Sequence, residues 1–364
     1  MSRSAVGLMR LSGQRLAGRG FDSPAAVVRW MAAMQAQDYG QSLWAIGVRL
    51  RSGSLAAVEQ AIAAGEILRT WPMRGTIHFV PPEDAGWMVG LSRDRMLRSA
   101  RRRLAELDLD AVTLNRSKEL LYQALRGGRR LTRPELMALL QRSGISPAGQ
   151  RGYHVIYHAA QTGLICIGPR AGRQQTFVLL AEWAPNAREL GREEAIATLA
   201  GRYAASHGPV TARDFAWWAG LTLTDAREAL RCAAPALVTE TIDGVDYWLP
   251  DPPPAPARRP HCALLAGFDE FLLGYTDRSQ VLAPDHSNAV VPGNNGVFRP
   301  GLEVNGAVIG TWRGTTRRTG LEVTLTPIEP LSESTLIRAR TAARRYARFV
   351  GERLAGLAVA PPAR

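Results

Sequence analysis

Ile67-Leu68-Arg69-Thr70-Trp71-Pro72-Met73-Arg74-Gly75-Thr76-Ile77-His78-Phe79-Val80 reads as two strand-forming runs around a connection that holds Pro72 and Gly75. The outer runs, Ile67 to Thr70 and Thr76 to Val80, are rich in β-branched and aromatic residues, and the turn residues between them fold one back on the other. Helical patterns precede this hairpin. Residues 4–17 place Leu8, Leu11 and Leu16 inward. Asp22-Ser23-Pro24 opens a second helix, expected to reach Met34, with Val27, Val28, Trp30 and Met31 apolar. Ser54 caps a third, to about Ala64, with Leu55, Val58 and Ile62 at helical spacing and Gly65 closing it. Leu43 to Leu50 fits a short helix or a strand. Helices followed by a hairpin are the pattern of a winged helix.

The pattern then recurs. After an arginine-dense helix, Arg93 to Arg103, the sequence predicts helices from Ser117 to Leu125, from the capping box Thr132-Arg133-Pro134-Glu135 to Gln141, and from Gln150 to Gln161. Strands at Leu164–Gly168 and Gln175–Leu180 flank a basic tip holding Arg170 and Arg173, which suits a wing on a phosphate backbone or an ordinary exposed hairpin. A third set follows: helices Glu193–Ser206, a Thr211-capped one bearing Phe215, Trp217 and Trp218, and a Thr224-capped one to Cys232, then strands Leu237–Ile242 and Val245–Leu249 over Asp243-Gly244. The proline-rich run Asp251–Pro256 cannot continue a ladder and reads as a linker. Beyond it, strands are expected at Ala263–Leu265, Glu270–Leu273, Val297–Arg299, Leu302–Val304, Val308–Trp312 and Leu321–Leu325, then a helix from Ser332 to about Leu354. The expected architecture is α+β: three tandem winged-helix units (1–105, 106–185 and 186–250), then a C-terminal β-rich, barrel-like region with a terminal helix (260–364).

Composition narrows the partners. The 364 residues are 46% hydrophobic and 21% charged, as in a globular protein, and no run of about 18 apolar residues supports a membrane span. Arg3, Arg10, Arg15 and Arg19 interrupt any N-terminal apolar stretch, and Cys166, Cys232 and Cys262 are odd in number and far apart. A reducing cytoplasm, at the nucleoid, is the expected setting. The formal charge is +13, and Lys118 is the only lysine, so the excess is arginine. Arginine forks two donors onto phosphate or a guanine edge, which points to nucleic acid as the partner.

The chemistry-bearing motifs are few. No Walker loop, dinucleotide-binding glycine fingerprint, Gly-x-Ser-x-Gly or zinc-protease helix is present, and no cofactor is implied. His154 and His158 lie one helical turn apart but lack a third ligand, so no metal site is expected. Asp269, Glu270, Asp277 and Arg278 read as an internal salt bridge more readily than as an acid/base cluster. A lyase working through a Schiff base would have only Lys118 to use. Met34-Gln35-Ala36-Gln37-Asp38-Tyr39 is the remaining candidate: on an extended backbone, Gln35 and Gln37 point the same way and Ala36 points back into the protein. Such a pair could hold a water, or simply satisfy loose backbone groups at a helix end.

Several segments, in order, carry a family resemblance: Met34–Asp38, Met73–Val80, Gly267–Tyr275 with Asp277-Arg278-Ser279, Asn295–Pro300 and Gly310–Arg313. Over nearly its whole length the chain resembles the AlkZ-like DNA glycosylases, whose fold is tandem winged helices and a C-terminal β region curved around DNA. In that family a Gln-apolar-Gln motif is the catalytic signature, and the YcaQ-type sister branch has Asp at the second glutamine. Gln35 and Gln37 match the Gln-Gln branch. The resemblance implies a monofunctional glycosylase that excises N-alkylated purines, notably N7-alkylguanine, from double-stranded DNA, with unhooking of interstrand crosslinks in some members. Asp38 is a candidate electrostatic helper. Arg74, His78, Arg170, Arg173, Arg299 and Arg313 are the candidate DNA contacts, and a monomer is expected. The rival class is a winged-helix transcriptional regulator that binds DNA without catalysis.

Overall fold

The computed structural model describes residues 3–362 and packs into two compact units, Met1–Val58 with Ile196–Arg364, and Glu59–Ala195. This grouping is not serial. The N-terminal helices fold with the C-terminal half of the chain, through contacts such as Trp44 Nε1 donating to the Leu264 carbonyl (2.7 Å) and Arg345 donating to the Val48 carbonyl (2.8 Å).

In the Glu59–Ala195 unit the expected hairpin forms from Leu68–Thr70 and His78–Val80, paired antiparallel. The second hairpin, Ile165–Ala171 with Gln174–Leu179, joins the first edge to edge through Arg69 opposite Ile167, so two expected wings share one sheet. Helices Ala85–Glu106, Ala111–Leu125, Arg133–Arg142 and Arg151–Gln161 surround a core that includes Leu121, Leu136, Ile156 and Phe177. The Thr132/Glu135 capping box forms as read. Ser117 does not start its helix. Asp110 caps it, accepting from the Thr113 N–H, and Ser117 sits buried one turn further on.

The other unit holds helices Arg192–His207, Ala212–Ala219 and Leu223–Cys232, followed by the hairpin Leu237–Ile242 and Val245–Pro250. Thr222, not Thr224, caps the last of these helices. Asp243 and Gly244 turn the hairpin at φ 49° and 75°, the left-handed pair that a two-residue loop requires. Beyond the linker a five-stranded sheet runs in the order Leu354–Val359, Gly320–Pro327, Ala307–Arg317, Gly301–Val304, Cys262–Leu264. It is open at both edges rather than a closed barrel. Helix Glu333–Phe349 packs on it, with Tyr346 edge-on to both Trp44 and Trp312.

Three expectations here are corrected. Glu270–Leu273 is a short helix rather than a strand, because the Asp269 carboxylate caps it by accepting the Phe271 N–H. Val297–Arg299 is not a strand. The terminal helix ends at Phe349, and Leu354–Val359 returns as a strand parallel to Gly320–Pro327. No helix among the described residues is long and apolar enough to cross a membrane.

Candidate active site

The helix that opens at Pro24 stops at Met31, three residues short of the expected end. Ala32 takes φ 62°, a left-handed conformation that a helix cannot continue, and the buried chain straightens into Met34–Gln35. The extended backbone does what the motif required. Ala36 is buried, while Gln35 and Gln37 meet on the other side of the chain.

Two hydrogen bonds lock the pair. Gln35 Nε2 donates to Gln37 Oε1 at 2.9 Å, and the Gln37 backbone N–H donates to Gln35 Oε1 at 3.3 Å. A backbone N–H can only donate, so the second bond fixes which end of the Gln35 amide is oxygen, and the first then fixes Gln37. Gln35 is 6% exposed, whereas Gln37 lies at the surface. The inner amide therefore orients the outer one.

Asp38 is the N-cap of helix Tyr39–Gly47, its Oδ1 accepting the Gln41 N–H at 3.1 Å. The ambiguity over Leu43–Leu50 thus resolves as helix. Gln41, in turn, accepts the Gly267 N–H through its side-chain oxygen at 2.7 Å. The segment 267–270 accordingly grips the glutamine stretch from both sides, since Glu270 Oε1 accepts the Gln35 backbone N–H at 3.0 Å. The Trp218 indole donates to Glu270 Oε2 at 3.0 Å, and His207 Nε2 stands 3.6 Å from the same oxygen. Burial holds the His207 imidazole below the ordinary histidine pKa, against the pull of Glu270.

The acidic residues grouped in the sequence separate in space. Asp269 pairs with the buried Arg49 guanidinium through both oxygens, at 2.8 and 2.9 Å. Glu270 faces the glutamines. Asp277 accepts the Ser279 N–H, and Arg278 donates to the Leu272 carbonyl and lies over the Trp217 and Phe298 rings. The expected internal salt bridge is present, but its cation is Arg49, which the sequence did not single out. Glu270 was missed as a neighbour of Gln35; its only signal was its place in one of the resembling segments.

The basic candidates lie in both units. Arg170 and Arg173 are exposed at the tip of their hairpin, around Gly172 at φ 59°. Arg74 is half-buried in the connection of the first hairpin. Arg299 is exposed and donates to the Ala289 carbonyl, and Arg313 is exposed on its strand. His78 differs from the arginines: its ring is buried, with Nδ1 2.9 Å from the Thr76 carbonyl. His154 and His158 are half-buried, and burial, aided by Arg103 near one and Lys118 near the other, lowers both pKa values. Among the described residues no group of three His, Cys, Asp or Glu side chains gathers as a metal site would need.

Comparison with known proteins places this geometry in context. Residues 28–349 match the family model described as DNA glycosylase AlkZ-like. The interstrand DNA cross-link repair glycosylase of Streptomyces sahachiroi is 27% identical, the match covering 83% of this chain and 85% of that protein. The solved structure of the S. sahachiroi DNA glycosylase AlkZ superposes with a TM-score of 0.82 at 25% identity, over 99% of each chain.

Proposed function

The chain belongs to the AlkZ-like DNA glycosylase family, and from that premise we propose that it hydrolyses the N-glycosidic bond of cationic N7-alkyl purines in double-stranded DNA. The observation that carries this reading is the locked amide pair, Gln35 Nε2 to Gln37 Oε1 and Gln37 N–H to Gln35 Oε1. An N7-alkylguanine already bears positive charge and departs as a neutral base, so no strong general acid is needed. What the site must supply is a water placed at the anomeric carbon and an oriented polar surface for an oxocarbenium-like sugar. Each amide oxygen in the lock keeps a lone pair free to accept a water hydrogen. The water oxygen bonds to the anomeric carbon as the bond to the purine breaks, and its proton passes to solvent.

The reaction ends at an abasic site. The single lysine, Lys118, lies on helix Ala111–Leu125 and carries no part in this chemistry. Exposure of Gln37 at the surface favours a shallow site that accepts a base still tethered to the opposite strand, so interstrand crosslinks through such purines are proposed substrates. The helix-and-hairpin sets ending at Val80, Leu179 and Pro250 are proposed as winged-helix units. The excess arginine charge serves to hold the phosphate backbone, with the protein acting as a monomer at the nucleoid.

The test is a duplex with a single N7-methylguanine, incubated with wild type, Gln35→Ala or Gln37→Ala and cleaved with alkali at abasic sites. Release by wild type that collapses in both variants, with DNA binding retained, supports the reading. Tight binding to an undamaged site, with no release from this duplex or a crosslinked one, would replace it with a regulator.

A further inference from the structure

We propose that Glu270 is the positioning residue of the glutamine pair, acting through the Gln35 backbone; this rests on the glycosylase reading above. Glu270 is 1% exposed, and its two oxygens take different partners from distant parts of the chain. Oε1 accepts the Gln35 N–H and Oε2 accepts the Trp218 indole N–H, each at 3.0 Å, with His207 Nε2 at 3.6 Å. Each oxygen thus faces an N–H donor, the arrangement of a carboxylate rather than a carboxylic acid.

The carboxylate is itself held in place. Asp269, its chain neighbour, is clamped by Arg49 and caps the turn that begins at Glu270. On the far side His207 is buried, bonds Ser206 Oγ through Nδ1 at 2.8 Å and stacks on Tyr203 at 4.6 Å. A fixed acceptor on the Gln35 N–H helps to fix the peptide plane of the two-residue strand Met34–Gln35. That plane sets where the Gln35 side chain points, and through the two bonds of the lock it sets Gln37. A misplacement of about 1 Å at a reacting group can cost about 100-fold in rate.

Replacing Glu270 by glutamine keeps the shape but turns one oxygen into an NH2 group. Either Gln35 or Trp218 must then face a donor instead of an acceptor. For Glu270→Gln the single-turnover excision rate on N7-methylguanine duplex should fall about 10- to 100-fold, with the Kd for DNA little changed. The decisive readout is the same change made in a Gln35→Ala background. There it should cost less than about twofold, because the group it positions is already gone. A residue with only a structural role would instead multiply the two losses, and that outcome overturns the proposal.

A second measurement stands apart from activity. In protein labelled with nitrogen-15 at glutamine, the Gln35 backbone and side-chain amide signals should both move in Glu270→Gln, and their hydrogen exchange should quicken. Unmoved Gln35 signals overturn the proposal even if wild type excises nothing. Moved signals without excision leave the positioning in place and remove the glycosylase reading alone.

Discussion

Exchanging each glutamine for glutamate separates the inner amide from the outer one. Gln35 donates from Nε2 to Gln37 Oε1 at 2.9 Å, so Gln35→Glu sets two oxygens against each other at that distance. The other carboxylate oxygen still accepts the Gln37 N–H, so the change removes one bond of the lock and leaves the other. Loss of a hydrogen bond that leaves a buried group unsatisfied costs about 1–3 kcal/mol, which is roughly 5- to 150-fold if it is felt in the transition state. The new carboxyl is buried, and the Glu270 oxygen sits behind its own backbone N–H, so both burial and like charge raise its pKa. Once protonated it regains a donor toward Gln37. The rate of Gln35→Glu should therefore rise as pH falls from about 8 to about 6, opposite to a site that needs an ionised base. Gln37→Glu behaves differently. Its side chain is exposed, the bond from Gln35 Nε2 persists into a better acceptor, and the carboxylate can take a proton from water. Activity should be retained on N7-methylguanine and extended toward uncharged lesions. The assay is single-turnover excision with saturating enzyme, corrected for spontaneous base loss at each pH. Wild-type, pH-independent excision by Gln35→Glu would refute the lock as the basis of catalysis.

Asp269→Asn should destabilise the fold by about 3–5 kcal/mol, because it strips the buried Arg49 of its carboxylate, and urea unfolding should show it; a loss below about 1 kcal/mol would mean that Arg49 finds another partner. Arg170→Gln and Arg173→Gln should each flatten the dependence of log K on log salt by about 0.9 if each neutralises one phosphate, and an unchanged slope removes that residue from the interface. His261, although burial opposes its charge, has a raised pKa through its 2.7 Å bond to Glu303. Its stabilising contribution is fully present below about pH 6.5 and is lost as pH rises through the raised value, so Glu303→Gln should abolish that segment of the stability–pH curve.

Local signals in the sequence survived into the structure where the cause is local. Asp243-Gly244 turns a hairpin because both positions need positive φ, and the Thr132 capping box needs only four consecutive residues. Readings failed where a distant partner decides. Glu270–Leu273 is too short and too evenly apolar to show a period, so the Asp269 cap, itself anchored by Arg49 from 220 residues away, makes it helix. Leu354–Val359 has weak strand character and pairs only because Gly320–Pro327 offers it an edge. In the candidate site the shared direction of the two glutamines followed from alternation once the backbone is extended, whereas their candidacy for catalysis came from the family resemblance. Glu270 was not legible, since nothing in the sequence near residue 270 states that residue 35 is its neighbour.

Two strained residues show how that neighbourhood is maintained. Ala32 at φ 62° directly precedes the segment that carries Gln35, and Phe268 at φ 57° directly precedes Asp269 and Glu270. A non-glycine residue in this region costs of order 1–3 kcal/mol, and it persists only where the surroundings over-determine it. The surroundings here are polar and specific: a bidentate ion pair on Asp269, a backbone bond from Gln35 to Glu270, and the Gln41 oxygen on Gly267. Charge is spent behind the glutamines, where it fixes two unfavourable turns against each other. Neutral amides stand in front, where a cationic purine, the substrate proposed above, would bring its own positive charge. A carboxylate in front would also attract the cationic lesion in its ground state, and uniform binding of ground and transition states does not raise the rate of the chemical step. For a leaving group that is already activated, an oriented but uncharged pair loses little in catalysis and avoids that ground-state trap.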